Sequence, residues 1–262
     1  IVLVLGRPNS PGSPASVWLL VVETEEVLVP IGTCFAVSTN KIVTAYHNLT
    51  ENKLIDGGRW PKLKENALVF VVKTFHINGL YPNEIYQMNF LTASTENDWA
   101  IMERQGGEFA DYTNICGEDM LPAVGADIGI KDYSIGLMIS QSTPKVPLNR
   151  KTARIVHYAR TLKEGETFST CAKILPADSS REVLVEDTVM VQGGHVSGSC
   201  GAPYFAANGL VFAFHYESVD ESTTGSIDSG SHASFSHGRV LCLLKNSVLL
   251  PKSIILSLKL QK

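Results

Sequence analysis

Residues 33–47 read Thr33-Cys34-Phe35-Ala36-Val37-Ser38-Thr39-Asn40-Lys41-Ile42-Val43-Thr44-Ala45-Tyr46-His47. Two short runs rich in β-branched and aromatic residues, 33–38 and 41–45, flank Thr39-Asn40, a pair suited to a tight turn. The stretch predicts two antiparallel strands, and it ends on a histidine directly after an apolar strand. Outward from it, the first half offers further strands at 16–22, 67–75 and 99–103. The second half offers them at 133–140, 153–160, 167–175, 182–192, 202–206 and 210–216. Between the last two, Asn208-Gly209 is a strong short-range hairpin signal, because both central residues of such a turn must accept positive φ.

Many short strands with no βαβ alternation predict an all-β chain built as closed antiparallel barrels. The looser stretch 105–125, with two glycines near its start, reads as the connection between two halves. The expected organisation is an N-terminal barrel at 1–110, a connection at 111–125 and a C-terminal barrel with a tail at 126–262. Residues 217–238, rich in Ser, Thr, Gly and Asp, read as a solvated mobile loop, and 239–250 as a short C-terminal helix.

Composition narrows the classes of function. A hydrophobic content of 44% with 18% charged residues describes a globular rather than a disordered chain. The net charge of −4 supplies no electrostatic reason to require nucleic acid as a partner. No run of eighteen or more uncharged apolar residues is present, so no membrane span is expected. The apolar first residues are too short, and carry no leading charge, for a signal peptide. Without an initiator methionine, the chain is expected to be a processed product or an excised fragment, in its natural setting part of a larger precursor. The five cysteines, Cys34, Cys116, Cys171, Cys200 and Cys242, are odd in number and form no C-x-x-C. They predict a reducing, cytoplasmic setting rather than a disulfide framework or a zinc site.

Three features carry chemistry, in chain order. Val43-Thr44-Ala45-Tyr46-His47 places a histidine at a strand end. Asn97-Asp98-Trp99-Ala100-Ile101 opens an apolar strand with an acid. Gly198-Ser199-Cys200-Gly201-Ala202-Pro203 sets a thiol in a glycine turn. A nucleophile needs a base within hydrogen-bond reach, and the base needs an acid to fix its tautomer. The glycines let backbone N–H groups approach a substrate carbonyl closely. Singly, a strand-end histidine or a turn aspartate is more often structural; the ordered set is what points to catalysis. Proximity of His47 is expected to favour a stored Cys200 thiolate and imidazolium pair.

Taken together, these motifs make the chain resemble the chymotrypsin-like superfamily, and within it the cysteine proteases of picornavirus and potyvirus type. Thr44-Ala45-Tyr46-His47 is similar to that family's Thr-Ala-x-His motif. Asn97-Asp98-Trp99-Ala100 is similar to its Asp-x-Ala strand start, and 198–203 to its nucleophile loop, with Cys in place of the commoner Ser. The resemblance spans most of the chain, from Ala15-Ser16-Val17 through His215. It implies two six-stranded antiparallel β-barrels and an endopeptidase acting on polypeptides with no cofactor and no metal. Cys200 would attack, His47 would shuttle the proton and Asp98 would orient His47. The backbone N–H groups of Gly198 and Cys200 would form the oxyanion hole.

Two departures from the serine-protease pattern are informative. The residue before the nucleophile is Ser199, not Asp, so Ile1-Val2 has no carboxylate there to pair with. The residue after His47 is Asn48, so Cys34 lacks a local disulfide partner. Both fit an intracellular or virus-type protease, cytoplasmic in its host if viral. The same resemblance places His215 in the primary specificity pocket, where a histidine can hydrogen-bond a glutamine amide or a glutamate carboxylate. His195 stands where viral relatives have a pocket threonine, and two histidines would favour an acidic side chain. For His76, His157, His232 and His237, solvent-facing or loop roles suffice. Cutting after Gln or Glu, with polyprotein processing as the setting, is the expected activity. The alternative is a catalytically silent domain of the same fold that binds peptides.

Overall fold

The structure is a computed structural model. It describes residues 14–24, 27–56, 61–75, 84–95, 97–133, 135, 146, 148–159, 188–193, 199–219 and 235–241. Its order begins β1 (Val17–Glu23), β2 (Leu28–Ala36), β3 (Lys41–Ala45) and the one-turn α1 (His47–Thr50). There follow β4 (Ile55–Asp56), β5 (Lys62–Leu63), β6 (Leu68–Val72), β7 (Ile85–Ser94) and β8 (Trp99–Arg104). The second half holds β9 (Asp127–Tyr133), β10 (Leu148–Ala159), β11 (Thr188–Gln192), β12 (Pro203–Phe205), β13 (Val211–Val219) and β14 (Phe235–Val240). Strands β1-β2-β3-β8-β7-β6 close one antiparallel barrel and β10-β11-β14-β13-β12-β9 close another. The all-β, two-barrel, six-stranded architecture expected from the sequence is the one observed.

The unbroken apolar run of β1 has a simple cause: both of its faces are buried. Val17, Leu19 and Val21 join Phe35, Val43, Ile101, Tyr133, Phe205 and Phe214 in a core shared by the two barrels. Trp18, Leu20 and Val22 turn the other way, into the first barrel, with Cys34, Ile42 and Met102. A side-chain period of two sends alternate residues to opposite faces, so a strand between two cores must be apolar throughout. The second barrel has its own interior around Ile128, Ile130, Val189, Val191, Tyr204 and Phe212.

Several expected bounds move. Strand 41–45 is observed as read, whereas β7 has no counterpart among the expected strands. Its sequence, Ile85 to Ser94, buries only Met88 fully, and a register shift between Phe90 and Thr92 interrupts its alternation. β9 runs earlier than the strand expected at 133–140, over Asp127–Tyr133 with Ile128, Ile130 and Asp132 buried; 134 and 136–140 lie outside the described residues. The loop expected at 217–238 gives β13 up to Val219 and β14 from Phe235; 220–234 lie outside the described residues. Arg239 and Val240 belong to β14, not to a helix, and the rest of the proposed C-terminal helix beyond Leu241 lies outside the described residues, as does strand 167–175.

At Asn208-Gly209 only Gly209 takes positive φ, at 79°. Gly209 N–H donates to Ala206 O and Ala206 N–H to Leu210 O, so the turn spans 206–209 with glycine closing it, rather than a two-residue loop. Among the described residues no helix is long and apolar enough to cross a membrane.

Candidate active site

β3 and β8 pair antiparallel with Ala45 opposite Trp99. The residues just beyond that pair, Tyr46-His47 and Asp98, therefore emerge together at one end of the first barrel. Asp98 sits at φ 53°, a left-handed conformation that aspartate tolerates better than most residues. From there it holds Tyr46 and His47 by three contacts. Its carbonyl accepts from Tyr46 N–H at 3.0 Å, its Oδ1 accepts from His47 N–H at 2.8 Å, and its Oδ2 lies 2.7 Å from His47 Nδ1. Main chain and ring are fixed by one carboxylate.

Cys200 arrives from the second barrel on a turn closed by Ala202 N–H to Ser199 O at 2.8 Å. Gly201 has φ 88°, and a Cβ there would run into Thr33 O and come within 2.7 Å of Thr44 Oγ1. Only glycine fits at that position. Gly201 N–H donates to His215 O and His215 N–H to Ala202 O, at 2.7 and 2.8 Å, zipping the turn to β13. The carbonyl of Cys200 accepts from Thr33 N–H at 2.9 Å and from the Asn48 side-chain amide at 3.0 Å, so the first barrel grips the turn directly.

The three candidate side chains meet there, His47 interacting with Asp98 on one side and Cys200 on the other. Burial alone would hold the His47 imidazole below its ordinary value. Hydrogen bonds to the Asp98 and Cys200 side chains and the negative charge of both outweigh it, and the His47 pKa is pushed up from 6.5 to about 10. Cys200 is partly exposed, while Cys34 and Cys116 are buried. Burial raises both of those thiols, Asp119 adding to the effect at Cys116. Among the described residues only Cys200 has a base beside it and a path to solvent.

His215 lies on β13, 1% exposed, with Nδ1 2.9 Å from the Tyr204 hydroxyl. Burial, with the negative charges of Asp132 and Cys200, raises the Tyr204 phenol well above its ordinary value. His195 and Gly198 lie outside the described residues, as do His76 and His232. His237 corrects the solvent-facing or loop role expected for it: it is 1% exposed on β14, with Nδ1 3.5 Å from Glu217 Oε2. His157 is half-buried on β10, and burial and the nearby charge of His237 lower its pKa. Residue-type reasoning missed Asn48, Asp132 and Tyr204 as parts of the site. Asn48 registered only as a missing cysteine, and Asp132 had no signal beyond an acid inside an apolar alternation. Among the described residues no cluster of His, Cys, Asp or Glu is suited to a metal ion.

Solved structures share this architecture at low identity. The chain is similar to the Rv3671c protease of M. tuberculosis in its active form, 15% identical with a TM-score of 0.53 over 89% of this chain and 80% of that one. Against the inactive form the values are 14% and 0.51 over 89% and 88%. It is also similar to the MamO protease domain from Magnetospirillum magneticum, 10% identical with a TM-score of 0.52 over 94% and 96%. No protein-family model and no curated protein matches the chain. At these identities the likeness establishes the chymotrypsin-like two-barrel fold. These comparisons support neither the cysteine nucleophile nor the viral-type resemblance expected from the sequence.

Proposed function

We propose that the chain is a cysteine endopeptidase whose nucleophile is Cys200, base His47 and orienting acid Asp98. The observation that carries this reading is the continuous line Asp98, His47, Cys200, with the imidazole bonded at both ends and its protonated form favoured. His47, within hydrogen-bond reach of Cys200, is placed to hold the thiol's proton while the sulfur attacks. The thiolate sulfur adds to the scissile carbonyl carbon, and its oxygen becomes an oxyanion facing the N–H groups of Cys200 and Gly198. Collapse breaks the C–N bond as His47 gives its proton to the leaving amine, leaving a thioester on Cys200. Water then attacks with His47 taking its proton, and expulsion of the thiolate regenerates the enzyme.

His215 is assigned to the primary pocket. A Tyr204 phenol that keeps its proton can donate to Nδ1, which puts the neutral ring's proton on Nε2. Nε2–H then suits the side-chain oxygen of Gln or Glu in the residue before the cut, with His195 as a second pocket candidate. Polypeptide substrates, polyprotein processing and a reducing, cytoplasmic setting complete the reading.

A diverse peptide library incubated with the wild type and with Cys200→Ala tests it. Cleavage after Gln or Glu by the wild type alone is expected, and His215→Ala should flatten that preference. Equal binding of peptides by both proteins with no cleavage would replace the enzyme with a peptide-binding module.

A further inference from the structure

Beneath the nucleophile turn lies a buried carboxylate, paired with a half-buried lysine, that the triad does not use. Asp132, on the inward face of β9, has a side chain that is 0% exposed. Its Oδ2 accepts a hydrogen bond from Ser199 Oγ at 2.6 Å and pairs with Lys151 Nζ of β10 at 3.2 Å. Ser199 is 1% exposed. A carboxylate taken wholly out of water is strongly unfavourable unless charged and hydrogen-bonded partners compensate it, and an O–H···O⁻ bond this short is in the charge-assisted range. The carboxylate therefore holds Ser199 firmly.

Ser199 shares a peptide group with Cys200. The carbonyl end of that peptide is tied by Ala202 N–H, and the Ser199 side chain is tied by Asp132. Together the two restraints set the peptide plane and with it the direction of the Cys200 N–H. The anchor is itself on rigid structure. β9 pairs with β12 through Ile130 and Tyr204, and Tyr133 N–H donates to Thr33 Oγ1 of the first barrel at 3.0 Å. Sites held by strands and a locked supporting layer keep their geometry better than sites on loops alone.

We infer that Asp132, acting through Ser199 and with Lys151 as counter-ion, is a positioning residue that aims the Cys200 N–H at the oxyanion. This rests on the cysteine-protease reading above. The sequence lacks an acid immediately before the nucleophile, and the fold supplies one from β9 instead, with Lys151 of β10 beside it.

The test compares wild type, Ser199→Ala, Ser199→Thr and Asp132→Asn as full chains. Three readouts are used: peptide cleavage, iodoacetamide alkylation of Cys200, and affinity for a peptide aldehyde. The aldehyde's hemithioacetal oxygen needs the backbone donor, whereas alkylation needs only the thiolate. Ser199→Ala and Asp132→Asn should lower kcat and aldehyde affinity by roughly tenfold or more, since loss or misaiming of one donor has effects of this order and above. KM and the alkylation rate should stay within about twofold, and Ser199→Thr should restore kcat. Should Asp132→Asn fail to fold, Ser199→Ala decides alone. Unchanged kcat and aldehyde affinity in Ser199→Ala, or an alkylation rate that falls in step with kcat, would overturn the inference while leaving the protease standing. A wild type that neither cleaves peptides nor binds the aldehyde would overturn the protease reading and this one with it.

Discussion

Asp98 does the most with the least. One carboxylate at φ 53° binds the His47 backbone and ring together, so charge and geometry are separable there. Asparagine also tolerates the left-handed region, so Asp98→Asn should fold with the same backbone. It would offer an amide that can select the wrong imidazole tautomer, and kcat should fall by as much as about 10⁴-fold. A loss smaller than about tenfold in peptide cleavage would remove Asp98 from the triad. The proposed triad was suggested by the sequence because three weak motifs stand in catalytic order. Asp132 was not, because an acid in a strand looks the same whether it faces water or a buried serine.

At the scale of elements, β3, α1 and the nucleophile turn are joined by a small polar knot. The Asn48 amide donates to Thr44 Oγ1 and to Cys200 O, both at 3.0 Å, and Thr44 Oγ1 donates to Thr33 O at 2.9 Å. Gly32 leaves the space: a Cβ there would come within 2.7 Å of Asn48 Cγ. Asn48 thus couples the helix that carries the base to the turn that carries the thiol. Asn48→Ala should cost about 1–3 kcal/mol in denaturant unfolding, the range for losing two hydrogen bonds, and should lower kcat as well. An Asn48→Ala protein with wild-type stability would contradict this coupling. β3 was readable to the residue because its buried pattern is clean and a turn bounds it. β7 was missed because it is a half-exposed strand with an irregular register, where periodicity is weak.

Across the whole molecule, the two barrels share a core through β1, and the His47–Asp98 pair stands at one end of the first barrel beside the turn from the second. The sign of the pair's pH dependence follows from the direction of the His47 shift. A base whose pKa is raised on folding, here from 6.5 to about 10, contributes stability that is fully present below 6.5 and is lost as pH climbs through about 10. Denaturant unfolding of wild type against His47→Gln should therefore show a stability difference that shrinks from pH 6.5 to pH 10; a constant difference would contradict the ion-pair account. The two-barrel plan was legible because strand-like runs recur without helices between them. Bounds in the second half were harder to read, since its inward faces carry polar residues such as Asp132 and His215. The central claim is that Cys200 is the nucleophile, and acyl-enzyme trapping tests it most directly. The protein is mixed with an activated peptide ester ending in Gln, quenched in acid and mapped by mass spectrometry. The account predicts one acyl group on Cys200, released by hydroxylamine and absent from Cys200→Ala. An acyl group on Ser197 or Ser199, or turnover of the ester by Cys200→Ala, would contradict it.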